Sequence, residues 1–482
     1  MIDRPEAQRD TIVALASGRP PAAIAVIRLS GPRAAETVRT LCGRLPPPRR
    51  ASLTTFRDPQ TGEDIDSGLV LFLPGPGSPT GEDVAEFHVH GGRAVVAAML
   101  DALTALPGVR LAEPGEFTRR AFFAGRMDLA AVEGLADLVA ADTDAQRRQA
   151  LAQASGVLGA RVTLWRSQIL EARALAEASL DFADEDDVAT DALEQAKAGA
   201  AALREEIAAA LAASGGGERL REGFRVVVLG PPNAGKSSLV NALARREVAI
   251  VTEEAGTTRD LIEVHLDLGG FPVIVTDTAG LREAAGLVEA EGIRRARARA
   301  EDADLVLWLS PADTLVDPPD DLPSAPQQVV LTKVDLASAP PGRRGPHPAL
   351  RATLSRPKPG EGEESAPAPA ASWDVIDSFA HPGPLLISTR TGAGLSELVA
   401  FIATRAASSL SGGEAAVLVR ARHREAAEVA LAALDRATAP AASPELVAED
   451  LRLASEALGR IVGAVGVEDV LGQIFSAFCI GK

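Results

Sequence analysis

Residues 230–238 combine the residue types and the spacing of a phosphate-binding loop. They contain Gly230-x-x-x-x-Gly235-Lys236-Ser237, preceded by the apolar run 224–229 and followed by an apolar-periodic segment. Glycines there let backbone N–H groups surround a pyrophosphate, the lysine adds positive charge at the β- and γ-phosphates, and the serine hydroxyl can ligate Mg²⁺. The pattern predicts a strand, a loop and a helix that bind a nucleoside triphosphate through Asn233, Ala234, Gly235, Lys236, Ser237 and Ser238.

Further motifs follow in the order found in GTP-hydrolysing proteins. Thr258 is placed to complete Mg²⁺ coordination, Asp277 to hold the ion through water, and Gly280 to bond the γ-phosphate. Asp335 can accept both guanine N–H donors, which predicts GTP rather than ATP. Thr332 stands where Asn is commonest, and Thr389 stands where Ala is. The motifs are Gly256-Thr257-Thr258-Arg259-Asp260, Asp277-Thr278-Ala279-Gly280, Thr332-Lys333-Val334-Asp335 and Ser388-Thr389-Arg390.

The residue after Gly280 bears on how GTP would be hydrolysed. Leu281 stands where Ras-like enzymes have the glutamine that orients the attacking water. That role must therefore fall to the following segment, which offers Glu283, Glu289 and Glu291. Asn233 could ligate a monovalent cation that supplies the charge otherwise brought by an arginine finger. The alternative is a polar loop residue that binds no ion.

The composition predicts a multidomain protein of the cytoplasm. The 482 residues are 46% hydrophobic, which suits about two to four domains. No run is apolar enough to span a bilayer, residues 1–10 are too polar for a signal peptide, and only Cys42 and Cys479 occur. With a net charge of -17, a nucleic acid must be held by a local basic patch or another subunit. Aromatic residues make up 3% and tyrosine is absent, which weakens an RRM-like interpretation.

Hydrophobic periodicity predicts a nucleotide domain inserted into a discontinuous helical domain. Residues 10–111 are typical of an α/β module, and residues 116–212 and 394–462 are typical of helices. Ser214-Gly-Gly-Gly predicts a hinge-like linker before the phosphate loop. The Pro-, Ala-, Gly- and Glu-rich stretch at about 337–384 predicts a disordered surface insertion.

The chain resembles the MnmE (TrmE) family of tRNA-modification GTPases over nearly its whole length. Separate motifs carry the resemblance, and the combination of a GTPase segment with this carboxyl terminus is very specific. The motifs are Asp10-Thr-Ile-Val-Ala, Ile27-Arg-Leu-Ser-Gly-Pro, Thr80-Gly-Glu-Asp-Val-Ala-Glu, His90-Gly-Gly, Pro114-Gly-Glu-Phe-Thr-Arg-Arg-Ala-Phe, Gly125-Arg-Met-Asp-Leu, Asp181-Phe-Ala-Asp-Glu, Pro232-Asn-Ala-Gly-Lys-Ser-Ser and Phe478-Cys-Ile-Gly-Lys.

This resemblance implies a multidomain α/β plus α architecture. Residues 1–118 would be an N-terminal tetrahydrofolate-binding and dimerisation domain, 119–217 and 406–482 the two parts of the helical domain, and 218–405 a Ras-like P-loop GTPase domain. The implied assembly is a homodimer that joins an MnmG (GidA)-type FAD protein in a heterotetramer or larger complex and acts on tRNA. The implied reaction adds a carboxymethylaminomethyl or aminomethyl group to C5 of the wobble uridine, position 34.

The resemblance also assigns the cofactors and their residues. Besides GTP and Mg²⁺, they are K⁺ and 5,10-methylenetetrahydrofolate or 5-formyltetrahydrofolate. Glu289 matches the glutamate that orients water, and Cys479 matches a thiol near the folate whose chemical role is open. The K⁺ site matches Asn233, Thr252, Glu254 and Thr257; the Mg²⁺ ligands match Ser237 and Thr258; the folate site matches Arg28, Glu86, Arg126 and Lys482. Arg126 stands where Lys is frequent, and Pro79 stands where an aromatic residue is usual.

Other function classes are also considered. A regulatory or ribosome-assembly GTPase would bind effectors without modifying tRNA, and a folate-dependent one-carbon transferase would use its GTPase domain only for regulation. The helix around 417–424 is the clearest cationic patch and would contact tRNA or a partner, or would be a solvated helix face.

Overall fold

A computed structural model describes most of the chain. The described residues are 10–181, 186–246, 248–250, 262–277, 301–319, 326–336 and 383–464, together with Gly472, Ile474, Phe475, Phe478 and Gly481. They fall into two compact units. Residues 1–140, 150–214 and 417–482 belong to the first unit, and residues 141–149 and 215–416 belong to the second. Within the part of the chain that the structure describes, no helix has the length and apolar character needed to cross a membrane.

The first unit begins with a six-stranded sheet of order β3-β4-β5-β2-β1-β6, antiparallel except between β1 and β6. Alternate residues such as Ile27, Leu29 and Phe87 are buried on one face beneath helices α1 and α2, as the period of two in a strand requires. The elements are β1 Thr11–Leu15, β2 Ile24–Ser30, α1 Ala34–Cys42, β3 Ser52–Arg57, β4 Asp64–Leu73, β5 Val84–His90, α2 Arg93–Thr104 and β6 Val109–Leu111.

The helices of the first unit come from both sides of the nucleotide segment. Trp165 and Ile169 from the earlier part share one core with Ala430, Leu451 and Leu458 from the later part. The predicted discontinuous helical domain is therefore confirmed. The helices are α3 Glu116–Phe123, α4 Leu129–Ala140, α5 Asp144–Ala154, α6 Val157–Asp181, α7 Asp186–Glu222, and, after the nucleotide segment, α10 Ala421–Ala437 and α11 Pro444–Val462. Residues 144–149 of α5 and 215–222 of α7 belong to the second unit.

The second unit is a six-stranded sheet of order β12-β11-β10-β7-β9-β8, in which only β8 runs antiparallel to its neighbour. This is the doubly wound arrangement expected of a P-loop nucleotide domain. Helix α9 packs its apolar residues Leu398 and Ile402 into the core of this unit. The elements are β7 Phe224–Leu229, α8 Lys236–Ala244, β8 Ile262–Leu268, β9 Phe271–Asp277, β10 Leu305–Pro311, β11 Gln327–Thr332, β12 Leu385–Leu386 and α9 Leu395–Leu410.

The predicted linker at Ser214-Gly-Gly-Gly is helical, so that prediction is wrong. Helix α7 continues through Gly215, Gly216 and Gly217 to Glu222. A side chain on Gly413 would overlap the carbonyl oxygen of Gly216. The small residues here therefore serve the close approach of two backbones, which outweighs the low helix propensity of glycine. The predicted insertion at about 337–384 lies almost wholly outside the described residues.

Candidate functional site

The phosphate-binding loop lies between β7 and α8, as the sequence predicts. Gly230, Asn233 and Gly235 have φ angles of 148°, 60° and 92°, so the loop turns back on itself with its backbone in conformations that favour glycine or asparagine. Helix α8 begins at Lys236. The loop therefore aims its backbone and the positive end of a helix dipole at one point, which is a suitable place for phosphate.

Lys236 extends over this loop. Its Nζ donates to the carbonyl oxygens of Gly230 and Pro231 at 2.9 and 3.0 Å. Burial lowers the pKa of Lys236, and the negative charge of Asp277 opposes that shift. Asp277 is fully buried at the end of β9. The residues present fit a magnesium triphosphate, because an ammonium group and a carboxylate flank the turn of the loop and Ser237 lies in the first turn of α8 beside it.

The residues that the sequence predicts to read the base lie after β11 and β12. Ser388 Oγ donates to Oδ1 of Asp335 at 2.7 Å, and Arg390 Nε lies 2.9 Å from Oδ2. The hydrogen bond from Ser388, together with the charge of Arg390, lowers the pKa of Asp335. Asp335 is therefore an oriented, ionised acceptor, as recognition of two guanine N–H groups requires. Thr389, between the buried Ser388 and the exposed Arg390, is half-buried.

Thr332 links the two ends of the nucleotide site. Its hydroxyl donates to the carbonyl oxygen of Ala234 in the phosphate loop at 2.7 Å, and the bond is buried. Lys333 follows with a φ angle of 58°, so the chain turns sharply toward Asp335. The hydroxyl retained at this position thus holds the base-reading strand to the phosphate loop.

Several predicted residues fall outside the described part of the chain. Of the nucleotide and ion ligands these are Thr252, Glu254, Thr257, Thr258, Thr278, Ala279, Gly280 and Glu289, and of the folate site and thiol they are Cys479 and Lys482. Among the residues that are described, no group of three or more His, Cys, Asp or Glu could hold a metal. The proposed ion ligands include hydroxyl and amide oxygens, which suit Mg²⁺ and K⁺.

A second polar site lies on the open face of the N-terminal sheet. Arg28 and Glu86 are directly opposite in the β2–β5 register, and Arg28 Nη2 lies 2.9 Å from Glu86 Oε1. His88, two residues further along β5, places Nε2 3.5 Å from Glu86 Oε2. The guanidinium lies 5.9 Å from the ring centroid of Phe117 on α3. The site therefore offers a cation, a carboxylate and an aromatic ring in one place.

Arg126 is a further residue predicted for the folate site. It follows α3, is exposed, and makes no hydrogen bond or ion pair with Arg28 or Glu86 among the described contacts. Its side chain approaches Gly81 instead.

The described residues near the carboxyl terminus contact helices α3 and α4 and strand β1. Phe475 and Phe478 join Phe122, Leu129 and Val132 in one apolar cluster. A side chain on Gly115 would come within 2.7 Å of the Phe475 carbonyl oxygen, and one on Gly481 would overlap the carbonyl oxygen of Leu15. Gly481 is buried, and Leu15 pairs with Ile27, the neighbour of Arg28. The structure thus places Gly481 beside β1, the strand next to the one that carries Arg28.

Three residues of the predicted cationic patch, Arg420, Arg422 and His423, contact carboxylates of α4. Arg422 donates from Nε to Glu133 Oε1 at 2.6 Å, and His423 Nε2 lies 2.9 Å from Glu133 Oε2. Arg420 donates to Asp137 at 2.7 Å. Glu133 is 3% exposed, so this is a buried ionic cluster that joins α4 to α10. A single glutamate in the apolar segment Leu-Ala-Ala-Val-Glu-Gly-Leu-Ala was the available signal.

The protonation states within the ionic cluster follow from its contacts. Burial alone would raise the pKa of Glu133, but hydrogen bonds from His423 and Arg422 outweigh it and lower that pKa to about 2. Burial lowers the pKa of His423 despite its bond to Glu133. Nδ1 of His423 has no hydrogen-bond partner in the described part of the chain. A neutral imidazole that donates Nε2–H to an ionised Glu133 satisfies these facts.

Comparison with known proteins identifies the family. A model of the "GTP-binding protein TrmE N-terminus" matches residues 11–126, and one of the "MnmE helical domain" matches residues 129–479. The chain is 53% identical to the tRNA modification GTPase MnmE of Rhodopseudomonas palustris strain BisB5, over 98% of this chain and 99% of that protein. It is 52% identical to the protein of that name in Methylorubrum populi, over 100% of both chains. The chain therefore belongs to the MnmE family of tRNA modification GTPases.

Proposed function

We propose that this enzyme hydrolyses GTP with the help of K⁺ and, with an MnmG-type FAD protein, adds an aminomethyl-type group to C5 of uridine 34 in certain tRNAs. The observation that supports the proposal is the carboxylate of Asp335, which accepts a hydrogen bond from Ser388, in a chain that shares 53% identity with an MnmE protein. The partner, the ion and the modified base come from the family, and a cytoplasmic location agrees with tRNA as the substrate.

The described residues account for nucleotide binding in the proposed reaction. Lys236 exchanges its bonds to Gly230 and Pro231 for phosphate oxygens, and Asp335 accepts the guanine N–H groups. Mg²⁺ and K⁺ would neutralise the charge that develops on the phosphates. Ser237 would bind Mg²⁺ and Asn233 would bind K⁺. Thr258 is proposed as the second Mg²⁺ ligand, and Glu289 is proposed to orient the attacking water.

The one-carbon chemistry is proposed for the N-terminal sheet. A bound tetrahydrofolate would supply the carbon that joins C5 of the uridine. Glu86 can accept N–H groups of the ring, and Arg28 can hold Glu86 in place and present its own N–H donors. Lys482 and Cys479 are proposed to complete the site from the carboxyl-terminal segment.

A homodimer is proposed through the same α/β module. The sheet face that carries Arg28 also exposes apolar side chains: Ile24 is 61% exposed, Leu53 69% and Leu69 42%. Exposed apolar groups of this kind are typical of interaction surfaces. Sedimentation of the full chain should give the mass of a dimer, and Leu53→Glu should shift it to a monomer.

The proposed modification is tested by mass spectrometry of wobble nucleosides. A strain that lacks the protein should accumulate tRNA with unmodified uridine 34, and the wild-type gene should restore the modified nucleoside. If the nucleosides are the same with and without the gene, the chain is a regulatory or ribosome-assembly GTPase instead.

Cation dependence is tested on the isolated protein. GTP turnover should be faster in potassium chloride than in sodium chloride at equal ionic strength, and Asn233→Ala should remove the difference. Equal rates of the wild-type protein in the two salts would contradict the role of K⁺.

A further inference from the structure

Residues 141–149 belong to the nucleotide unit although they lie between helices of the other unit in sequence. Ala145 is fully buried in the core around β7 and β9. Its N–H donates to the carbonyl oxygen of Gly270 at 3.1 Å, in the turn between β8 and β9. Strand β9 starts at the next residue and ends at Asp277. This segment is therefore connected by one strand to the phosphate-binding end of the site.

Gln149 bridges the two passages of chain that join the nucleotide unit to the rest of the protein. Its Nε2 donates to the carbonyl oxygen of Gly217 at 3.0 Å and to that of Gly413 at 2.9 Å, and both bonds are buried. Gly217 lies in α7, which leads into the unit, and Gly413 starts the short 3-10 helix Gly413–Ala415, which leads out. Gln149 itself is 4% exposed. One amide group thus holds the incoming and outgoing chain together.

The backbones of Gly216 and Gly413 approach each other too closely to admit a side chain on Gly413. A side chain on Gly413 would overlap the Gly216 carbonyl oxygen and would approach Leu220 Cβ at 3.1 Å. Only glycine at 413 permits the approach that lets one side chain reach both carbonyls. We name Gln149, Gly216, Gly217 and Gly413 the linker clasp.

Arg148 and Gln146 make further contacts next to the linker clasp, and these are weaker than the buried hydrogen bonds of Gln149. Arg148 donates two hydrogen bonds of 2.8 Å to Glu414, but its side chain is 48% exposed, and such pairs contribute little. Gln146 donates to the Arg221 carbonyl oxygen at 3.1 Å. The buried amide of Gln149 is consequently the group whose loss would release the two passages from each other.

We infer that the linker clasp makes the incoming and outgoing chain move as one body, so that nucleotide-dependent changes at the end of β9 reach both passages together. Gln149 is a positioning residue in this inference and touches no nucleotide. The inference rests on the proposed function, in which the chain hydrolyses GTP during tRNA modification. Two residues of segment 141–149 make the contacts that support the inference. Ala145 donates to Gly270, and Gln149 donates to Gly217 and Gly413.

The test compares Gln149→Met with Gln195→Met in the full chain. Methionine keeps the length of the side chain and removes the donor. Gln195 is exposed on α7 and, among the described residues, its side chain bonds to Asp191 at the surface, so its variant controls for the substitution. Hydrogen exchange of residues 213–222 and 411–417 is measured with GDP and with a non-hydrolysable GTP analogue, beside basal GTP turnover.

In the wild-type protein and in Gln195→Met, exchange in the two segments should differ between the two nucleotides by about the same factor. In Gln149→Met that shared difference should disappear, with basal kcat and KM for GTP within about twofold of wild type. In cells the modified wobble nucleoside should then fall about tenfold or more. Retention of the shared nucleotide-dependent exchange in Gln149→Met would overturn the inference. A matching loss of basal GTP turnover would overturn it too, because Gln149 would then serve folding alone.

The two proposals fail in different ways. If the wild-type gene does not restore the modified nucleoside, the proposed function is wrong, and the exchange measurement still decides whether the linker clasp transmits the nucleotide state. If the wild-type gene restores it and Gln149→Met restores it equally, the inference is wrong and the proposed function stands.

Discussion

The two sheets of this protein carry their polar residues in different places. In the parallel sheet they follow the carboxyl ends of the strands: the phosphate loop after β7, Asp277 ending β9, Asp335 after β11 and Ser388 after β12. In the antiparallel sheet they stand on the face, where Arg28 and Glu86 oppose each other across β2 and β5. A site at strand ends is assembled from short continuous motifs, whereas a site on a face is assembled from the register of strands far apart in sequence.

This difference means that the two sites should fail independently. A substitution at a strand end of the second unit should leave the face of the N-terminal sheet unchanged, and the reverse should also hold. The predictions below test that independence and the contacts that create each site.

The largest effect should come from Lys236→Ala. Its ammonium makes two hydrogen bonds in the loop, and charged hydrogen bonds contribute about 1.5–3 kcal/mol each, so the affinity for GTP should fall about 1000-fold. Folate binding, measured by fluorescence, should not change. Lys197→Ala, which removes a surface ammonium from α7, is the control for both measurements. A parallel loss of folate affinity in Lys236→Ala would contradict the independence of the sites.

Acid should weaken the first unit through its buried carboxylates. The pKa of Glu133 is lowered from 4.5 to about 2, a shift that corresponds to about 3 kcal/mol. Because the folded pKa lies below the unfolded one, this stabilisation is present above pH 4.5 and is lost as the pH falls toward 2. Hydrogen exchange of α4 and α10 amides should show that loss. Glu133→Gln should show it already at pH 7, whereas the exposed control Glu428→Gln on α10 should behave like wild type.

Arg28→Ala should weaken folate binding by about 10- to 100-fold, the range of one charge-assisted hydrogen bond. Glu86→Gln should give a similar loss, and the double variant should lose less than the sum, because the two side chains bond to each other. Arg57→Ala on the same sheet removes an ion pair in which both partners are over 60% exposed (64% and 62%) and should change nothing. Additive losses would show that Arg28 and Glu86 act separately.

The smallest effect should come from Thr332→Val. It leaves the Ala234 carbonyl oxygen without its buried donor, at a cost of about 1–3 kcal/mol, so GDP and GTP affinity should fall about tenfold. Thr332→Ser keeps the hydroxyl and should bind both nucleotides normally. Equal binding by Thr332→Val and Thr332→Ser would mean that the hydroxyl does not hold the phosphate loop.

The sequence predicted the site at the strand ends better than the site on the sheet face. The loop at Gly230–Lys236, the strand before it and the helix after it are all local patterns, and the structure has them where the sequence predicts. The opposition of Arg28 to Glu86 depends on strand register over 58 residues, which only the family resemblance indicated. The pairing of Glu133 with Arg422 spans 289 residues, and arginines spaced along a helix cannot show which carboxylate they face.

The prediction of a flexible linker at residues 214–217 was wrong for a related reason, because it considered only neighbours in sequence. Glycines at 215–217 are typical of a flexible linker when only neighbours in sequence are considered. Their actual role depends on Gly413, almost two hundred residues later, whose backbone lies against Gly216. No local pattern carries that information.

The shared core of α6, α7, α10 and α11 has a consequence during synthesis on the ribosome. Trp165 and Ile169 can first pack against Ala200 and Leu203 of α7, but a large part of their core, including Ala430, Leu451 and Leu458, comes from α10 and α11. At about 5–20 residues per second, α6 waits on the order of tens of seconds for α10 and α11. The nucleotide unit emerges during that interval. Newly made chains should therefore depend on chaperones through the apolar side of α6, and not through the nucleotide site.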